Sequence, residues 1–266
     1  MVLESPKSDA PCGASVQGCY PWRGISDRNI VSIVGAVNNT LRKISQMSTT
    51  TPQRVGCYVD GFNLYYGLRD SKFRRFLWLN VQQLATLMLL PHQTLAYTKY
   101  FTARISGGRP TDNLSFRAER DAKRKRQATY LDALIAGTKV EILEGHFLDK
   151  KFECKKCGAT WAGAEEKMTD VNIATELLVD AFANRFDTAI IVSADSDLVP
   201  PVCAVRKWFP HKRVMAAFPP GRFSINLKAC ANGQRVISKG HLKKSQLPDE
   251  IATSGGHVLK RPPSWA

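Results

Sequence analysis

The sequence predicts an α/β protein, a three-layer α/β/α arrangement around a mainly parallel sheet. Three observations carry this reading. From Arg54 onward, runs rich in Val, Ile and aromatic residues alternate with helix-like stretches, a pattern that implies parallel strands with helices on both faces. Two of those runs end on bare carboxylates, RVGCYVD on Asp60 and IIVSADSD on Asp195 and Asp197. Hydrophobic residues make up 44% of the 266, enough to bury the core of one large α/β domain or two small ones.

Residues 1–51 differ from the rest. They are rich in Gly, Ser, Pro, Asn and Thr around one short amphipathic patch, Ile30 to Ile44, and read as a poorly ordered leader to a domain spanning 52–266. Strands are expected at 54–60, 95–103, 139–147, 188–194, 213–218 and 235–238, each β-branched or aromatic and bounded by turn or helix signals. Helices are expected at 81–90, 113–136, 170–183, 198–208 and 224–230. Pro219-Pro220-Gly221 marks a strand-to-helix loop, and the tail GHVLKRPPSW reads as extended.

Lys plus Arg number 38 against 23 Asp plus Glu, a net charge of +15. An excess of that size favours a polyanionic partner, with nucleic acid ahead of an acidic membrane surface. No apolar stretch approaches the ~20 residues of a membrane helix, and ESPKSDAPCGAS has no apolar signal-peptide core. The seven cysteines lack disulfide-framework spacing. Cys57, Cys203 and Cys230 sit in apolar segments and read as buried thiols in a reducing cytoplasm.

The acids at strand ends carry the chemistry. In open parallel sheets, ligands sit beyond the carboxyl ends of the strands at the point where strand order reverses. Were the strands of Asp60 and Asp195 neighbours there, three carboxylates would converge and require a counter-cation or a proton. Hard oxygen donors favour Mg²⁺ or Mn²⁺. The competing role for an Asp after a strand is a helix cap, which suits Asp197, ahead of LVPPVCAV, more readily than Asp60. Gly61 leaves room for close backbone approach, and Asn63 can act as a neutral ligand. In KMTDVNIATELLVD, Asp170 lies in the first helical turn and Glu176 six residues on, while Asp180 reads as ordinary surface charge.

CYVDGFNLYYGL, EEKMTDVNIATELLVDAF and AIIVSADSDLVPPV, in that order, together resemble the NYN domain, a PIN-like nuclease fold. The resemblance runs from about Arg54 to the tail, where SQLPDEI and KRPPSW also fit. It implies a Rossmann-like sheet in the order 3-2-1-4-5 and metal-dependent RNA cleavage in Mg²⁺ or Mn²⁺. Carried over residue by residue, the metal-binding acids are Asp60, Asp170, Asp195 and Asp197, with Asn63 beside them. Glu176 stands where the family often has Asp, a weaker assignment because the longer arm changes its reach. The expected chemistry is hydrolytic phosphoryl transfer, in which a divalent ion neutralises the phosphate and activates water. The alternative is an RNA- or nucleic-acid-binding module that keeps the fold without cutting. A Toprim-like domain fits DGFN and TDV less well, and a phosphatase lacks its DxDxT nucleophile motif.

Several residues are candidates for binding RNA, or DNA. Ser193 and Ser196 flank Asp195. Gly221, Arg222 and Ser224 lead into a helix whose N–H groups can receive phosphate, with Ser224 as a plain cap the competing role. Arg117, Arg120 and Arg124 share one face of a strongly basic helix, and Tyr65 or Tyr66 can stack on a base while the other joins the core. FECKKCGATW supplies two zinc ligands, Cys154 and Cys157, with His146 a third eight residues upstream. Four are needed for structural Zn²⁺, so a homodimer could complete the site. The segment at about 148–166 reads as an insertion beside the cleft.

Overall fold

Val55, Cys57 and Val59 alternate with Gly56, Tyr58 and Asp60, and strand β1 (Gln53–Asp60) is buried on both faces over its last six residues. Such burial is what the central strand of a parallel sheet requires. The structure, a computed structural model, describes residues 51–107 and 113–265. The expected leader and its amphipathic patch lie outside the described residues, apart from Thr51.

From β1 the chain runs through α1 (Gly61–Asp70), α2 (Val81–Leu87), β2 (Gln93–Ala103), α3 (Leu114–Gly137) and β3 (Val140–Glu153). It continues through β4 (Thr160–Lys167), α4 (Thr169–Phe182), β5 (Thr188–Val192), α5 (Val199–Trp208), β6 (Arg213–Phe218), α6 (Ile225–Cys230) and β7 (Gly233–Val236). Helix α7 (Lys239–Lys244) and a small antiparallel pair, β8 (Glu250–Ala252) and β9 (Val258–Lys260), follow. The seven-stranded sheet has the order β4-β3-β2-β1-β5-β6-β7. All pairings are parallel except β3 with β4. The expected order 3-2-1-4-5 is realised by β3, β2, β1, β5 and β6, which makes this a PIN-like three-layer fold.

Alternation along β1 sorts the two helical layers. Val55, Cys57 and Val59 face a core built with Leu64 and Leu68 of α1, Leu84 of α2, Leu131 and Leu134 of α3 and Leu242 of α7. Tyr58 faces the other core, with Ile173 and Leu177 of α4, Val202 and Val205 of α5 and Leu227 of α6. Asp60, two residues past Tyr58, is directed to the α4 side by the same period of two. The tail is only partly extended: after β9 it turns, and Trp265 packs against Trp78 and Tyr130.

Three expectations change here. The segment at 148–166 is the outer part of a long β3–β4 hairpin, because Phe147, Leu148 and Phe152 continue the strand beyond residue 147. Cys203 and Cys230 are joined in a disulfide rather than standing as thiols: α5 and α6 pack on one face with these Cα atoms 5.9 Å apart, within bridging range. Asp180 is fully buried rather than a surface charge. It accepts hydrogen bonds from Lys99 Nζ at 2.6 Å, Tyr58 at 2.7 Å and Arg185 at 3.0 Å. Burial pushes the Asp180 carboxyl up, but the bonds from Lys99 and Tyr58 outweigh it and hold the group below the usual carboxylate range.

Lys99 is itself 1% exposed. Removing one partner of a buried ion pair leaves the other charge uncompensated, at a cost of about 3–5 kcal/mol. Lys99→Met is therefore expected to lower unfolding stability by about that amount in chemical denaturation, and Asp180→Leu added to it to recover part of the loss. A loss below about 1 kcal/mol would show that the pair is not holding α4 to the sheet.

Candidate active site

Parallel pairing of β1 with β5 sets Val59 beside Val192, so Asp60 and the SADSD turn emerge together at the carboxyl rim. Asp60 is 4% exposed. It caps α1 by accepting the Asn63 backbone N–H at 2.9 Å, and its other oxygen accepts the Ser193 hydroxyl at 2.8 Å. Ser193 Oγ in turn accepts the Asp195 N–H at 3.0 Å, and Asn63 Oδ1 accepts the Ala194 N–H at 3.1 Å. Asp195 then accepts the Asp197 N–H at 2.9 Å. One continuous set of hydrogen bonds thus ties the DGFN and SADSD turns together. Gly61 is required at this junction, since a Cβ there would lie 2.6 Å from the Tyr100 ring and 2.7 Å from the Phe101 carbonyl oxygen.

The third turn arrives from the hairpin. Strand β4 returns against β3, and Met168 adopts a left-handed conformation, φ 77°, before α4 begins. A non-glycine residue in that region costs about 1–2 kcal/mol, and it reverses the chain so that Asp170 enters the first turn of α4 at the rim. A Cβ on Gly145 would collide with the Lys167 carbonyl and lie 3.2 Å from Thr169 Oγ1, so the close return depends on that glycine. Glu166 Oε1 accepts both the Thr169 backbone N–H, at 3.0 Å, and the Thr169 hydroxyl.

These turns bring Asp60, Glu166, Asp195 and Asp197 close enough to Asp170 to act on its charge. Burial pushes Asp170 up to about 7, and Asp60, Asp195, Glu166 and Asp197 push in the same direction. Burial likewise raises Asp60 to about 6, against its hydrogen bonds from Asn63 and Ser193 and with the help of Asp195 and Glu166. Among the described residues, no Lys or Arg side chain pairs with any of these five carboxyls. Nor do three His, Cys, Asp or Glu side chains among them already stand as ligands around one point. The fit to a divalent cation rests on donor chemistry: hard oxygens whose mutual repulsion is uncompensated.

Glu166 was not foreseen. It stands in the EEKMTD motif, but without β4 its position appeared to be loop. Glu176 does not join the cluster: helix α4 runs away from the rim, and six residues carry Glu176 ~9 Å along it, where its carboxylate meets Lys99 at 2.6 Å. The capping roles are reversed from expectation. Asp60 caps α1 and Asp195 caps the 3₁₀ turn Ser196–Leu198, whereas Asp197 is exposed and α5 has no side-chain cap.

The candidate binding residues divide as well. Ser193 is fully buried and engaged between Asp60 and Asp195, so it braces the site; Ser196 is exposed beside it. Ser224 caps α6. Arg222 lies with Asn63, Ala194 and Gly221 around one hollow and bonds Asp70 at 3.2 Å. On α3, Lys123 and Arg126 rather than Arg117, Arg120 and Arg124 border a cavity of about 270 Å³ that begins at Gly61. Phe62, Tyr65, Tyr66, Phe147 and Trp265 also line it. Tyr65 packs against the core and Tyr66 is exposed. His146 pairs with Lys167 at the base of the hairpin. Eight strand residues put it ~26 Å from Cys154, out of reach of the thiol pair.

A parallel sheet in this order, with acids gathered where three turns meet, is the architecture of the PIN-like nuclease superfamily. The chain belongs to the NYN domain family, whose match covers residues 54–238. It is 29% identical over 252 residues to the 6-hydroxy-3-succinoylpyridine 3-monooxygenase HspA of Pseudomonas putida, covering 80% of this chain and 76% of that protein. Among solved structures it is similar to the protein of unknown function VPA0982 of Vibrio parahaemolyticus. That likeness has 18% identity and a TM-score of 0.44, over 73% of this chain and 98% of that one. Among the described residues, no helix is long and apolar enough to cross a membrane.

Carboxyls at about 6 and about 7 in the folded protein lie above the ~3.9 of an unfolded Asp, so the folded state binds more protons. Their contribution to stability is complete below about pH 4 and lost as pH rises through 6 and 7. Metal-free protein is therefore expected to lose stability over that window, and Asp170→Asn to flatten the loss. Because bound cations replace those protons, Mn²⁺ should raise the melting temperature more at about pH 8 than at about pH 5. Equal shifts at both pH values, measured by scanning calorimetry, would contradict a cation site at this cluster.

Proposed function

We propose that the protein is a divalent-metal-dependent endoribonuclease working at this rim. The observation that carries the reading is the gathering of Asp60, Asp170, Asp195 and Asp197, with Glu166, unpaired by any basic side chain among the described residues. These oxygens would hold Mg²⁺ or Mn²⁺, which, when bound, neutralises phosphate charge and lowers the pKa of water. The chain itself does the rest. Ser193 and the Asn63 N–H fix the Asp60 carboxylate, so that little reorganisation is needed when charge develops. Asp170, raised to about 7 in the metal-free protein by burial and by its neighbouring carboxyls, would give up its proton when the cation binds. Lys123 and Arg126 on one side, and Arg222 on the other, are placed to bind phosphates, while the exposed Tyr66 ring offers a stacking surface.

A second reading follows from the monooxygenase relative. The cavity at Gly61, with its aromatic lining and its Lys123 and Arg126 rim, would suit a small planar anion. Oxygenation there would require O₂ and an electron donor.

Single-stranded RNA is expected to be cut in Mn²⁺ or Mg²⁺, with Asp60→Asn or Asp195→Asn lowering the rate at least ~10²-fold while binding persists. Full cutting in excess EDTA, or by both variants, refutes the proposal. RNA binding without cutting across varied substrates would favour the binding-module alternative, and O₂ uptake with 6-hydroxy-3-succinoylpyridine the second reading. Lys123→Ala and Arg126→Ala should each weaken RNA binding and reduce the slope of log affinity against log salt by ~1. An unchanged slope in filter binding would place the RNA path elsewhere.

A further inference from the structure

We propose that the tip of the β3–β4 hairpin is half of a structural zinc-thiolate site, completed by the same tip of a second copy of this chain. Cys154 and Cys157 are the two ligands each copy supplies. Both are free thiols, three positions apart across the hairpin tip. The turn is already folded for the task. The Cys154 N–H donates to the Ala159 carbonyl at 2.8 Å, and the Gly158 N–H to the Cys154 carbonyl at 2.8 Å. Gly158 closes the turn at φ 69° with open space where a Cβ would stand. Metal binding converts both thiols to thiolates, the donors a structural zinc site uses.

Two ligands do not make a structural zinc site, which is tetrahedral with four. Among the described residues no third His, Cys, Asp or Glu joins them in a group that could hold a metal ion. Cys57 is fully buried in β1, Cys203 and Cys230 are bonded to each other, and His146 is at the far end of the strand. The hairpin tip, by contrast, is exposed from Lys155 to Thr160, and β4 is the outermost strand of the sheet. A two-fold axis through the metal doubles two sulfurs to four in a closed, self-complementary contact. Soft thiolate donors select Zn²⁺. Each ion bound displaces four thiol protons, and the resulting doubly negative centre faces the exposed Lys155 and Lys156 of both tips.

The site is independent of the carboxylate rim, and its test does not use cleavage. Full-length protein loaded with Zn²⁺ under reducing conditions is measured for metal content by elemental mass spectrometry and for mass by light scattering. The expected result is one zinc per two chains in a dimer that dissociates when a chelator strips the metal. Cys154→Ser and Cys157→Ser should each be zinc-free and monomeric, with an unchanged melting temperature for the metal-free protein. Cobalt should give the visible absorption of a tetrahedral thiolate site in the native chain and in neither variant. Absence of zinc, a dimer that survives Cys154→Ser, or a monomer with one zinc per chain would each overturn the proposal. Loss of zinc in a Cys12→Ser, Cys19→Ser double variant would assign the missing ligands to the same chain and overturn it equally.

Discussion

Asp60 has to be buried, capping a helix and negatively charged all at once, and much of the rim follows from how that conflict is met. A carboxylate at 4% exposure loses most of its hydration, and the loss raises its pKa. The Asn63 N–H and the Ser193 hydroxyl offset part of this cost by donating to its two oxygens. Because Asn63 belongs to α1 and Ser193 follows β5, the same two bonds fix the spacing between the DGFN and SADSD turns. The order of strands makes this pairing available, since only adjacency of β1 and β5 brings a residue 133 positions away within hydrogen-bond distance. Capping and site-building are therefore one role here rather than competing ones.

Helix α4 shows two ways of placing acid in this fold. At its far end Asp180, fully buried, is met by Lys99, Tyr58 and Arg185, and its pKa falls. At its start Asp170 is met by four other carboxyls, and its pKa rises to about 7. Both acids lie on the same helix against the same sheet. What differs is the supply of cations: Lys99 of β2 serves the lower pair and draws in Glu176 as well, while no basic side chain among the described residues serves the rim. An uncompensated cluster beside a compensated one can be relieved only by protons or by a cation taken from solution.

The parallel strands and the helices α2 to α6 could be read from residue types because burial imposes period and composition, whereas α1, directly after Asp60, is not among the expected helices. β6 at Arg213–Phe218 matches its expected bounds, and α4 differs by one residue at each end. The hairpin was missed because β4 carries TWAGAEEK, which has no Val or Ile and no alternation of apolar with polar residues. Losing β4 also hid Glu166. Asp60 and Asp195 stand out in the sequence because a carboxylate after an apolar run is chemically out of place, whereas Asp170 is marked only by its position in the first turn of a helix. The ion pair of Asp180 was not, since its partner Lys99 is 81 residues distant, and no local pattern distinguishes a buried charge from a solvated one. Arg117, Arg120 and Arg124 share a helical face by spacing, but which face meets the cavity depends on how α3 docks. That docking is set by Tyr130, Leu131 and Leu134.

The geometry of the rim also weighs on what kind of ligand the site favours. Asp60 projects to the α4 side of the sheet, whereas the aromatic cavity lies on the α1 and α3 side, among Leu64, Leu68 and Tyr130. The two meet at Gly61, where the backbone crosses the rim beside the Tyr100 ring. A ligand that stacks on Tyr66 or enters the cavity while presenting an ester to the carboxylates must therefore be extended across that edge. Arg222 continues the path on the far side, beside Asn63 and Ala194. Basic groups at both ends of such a path, with acids between them, suit a flexible polyanion cut in its middle. A compact aromatic acid could fill the cavity alone, but it would leave the carboxylates and Arg222 without a role, whereas the proposed extended polyanion would use all three.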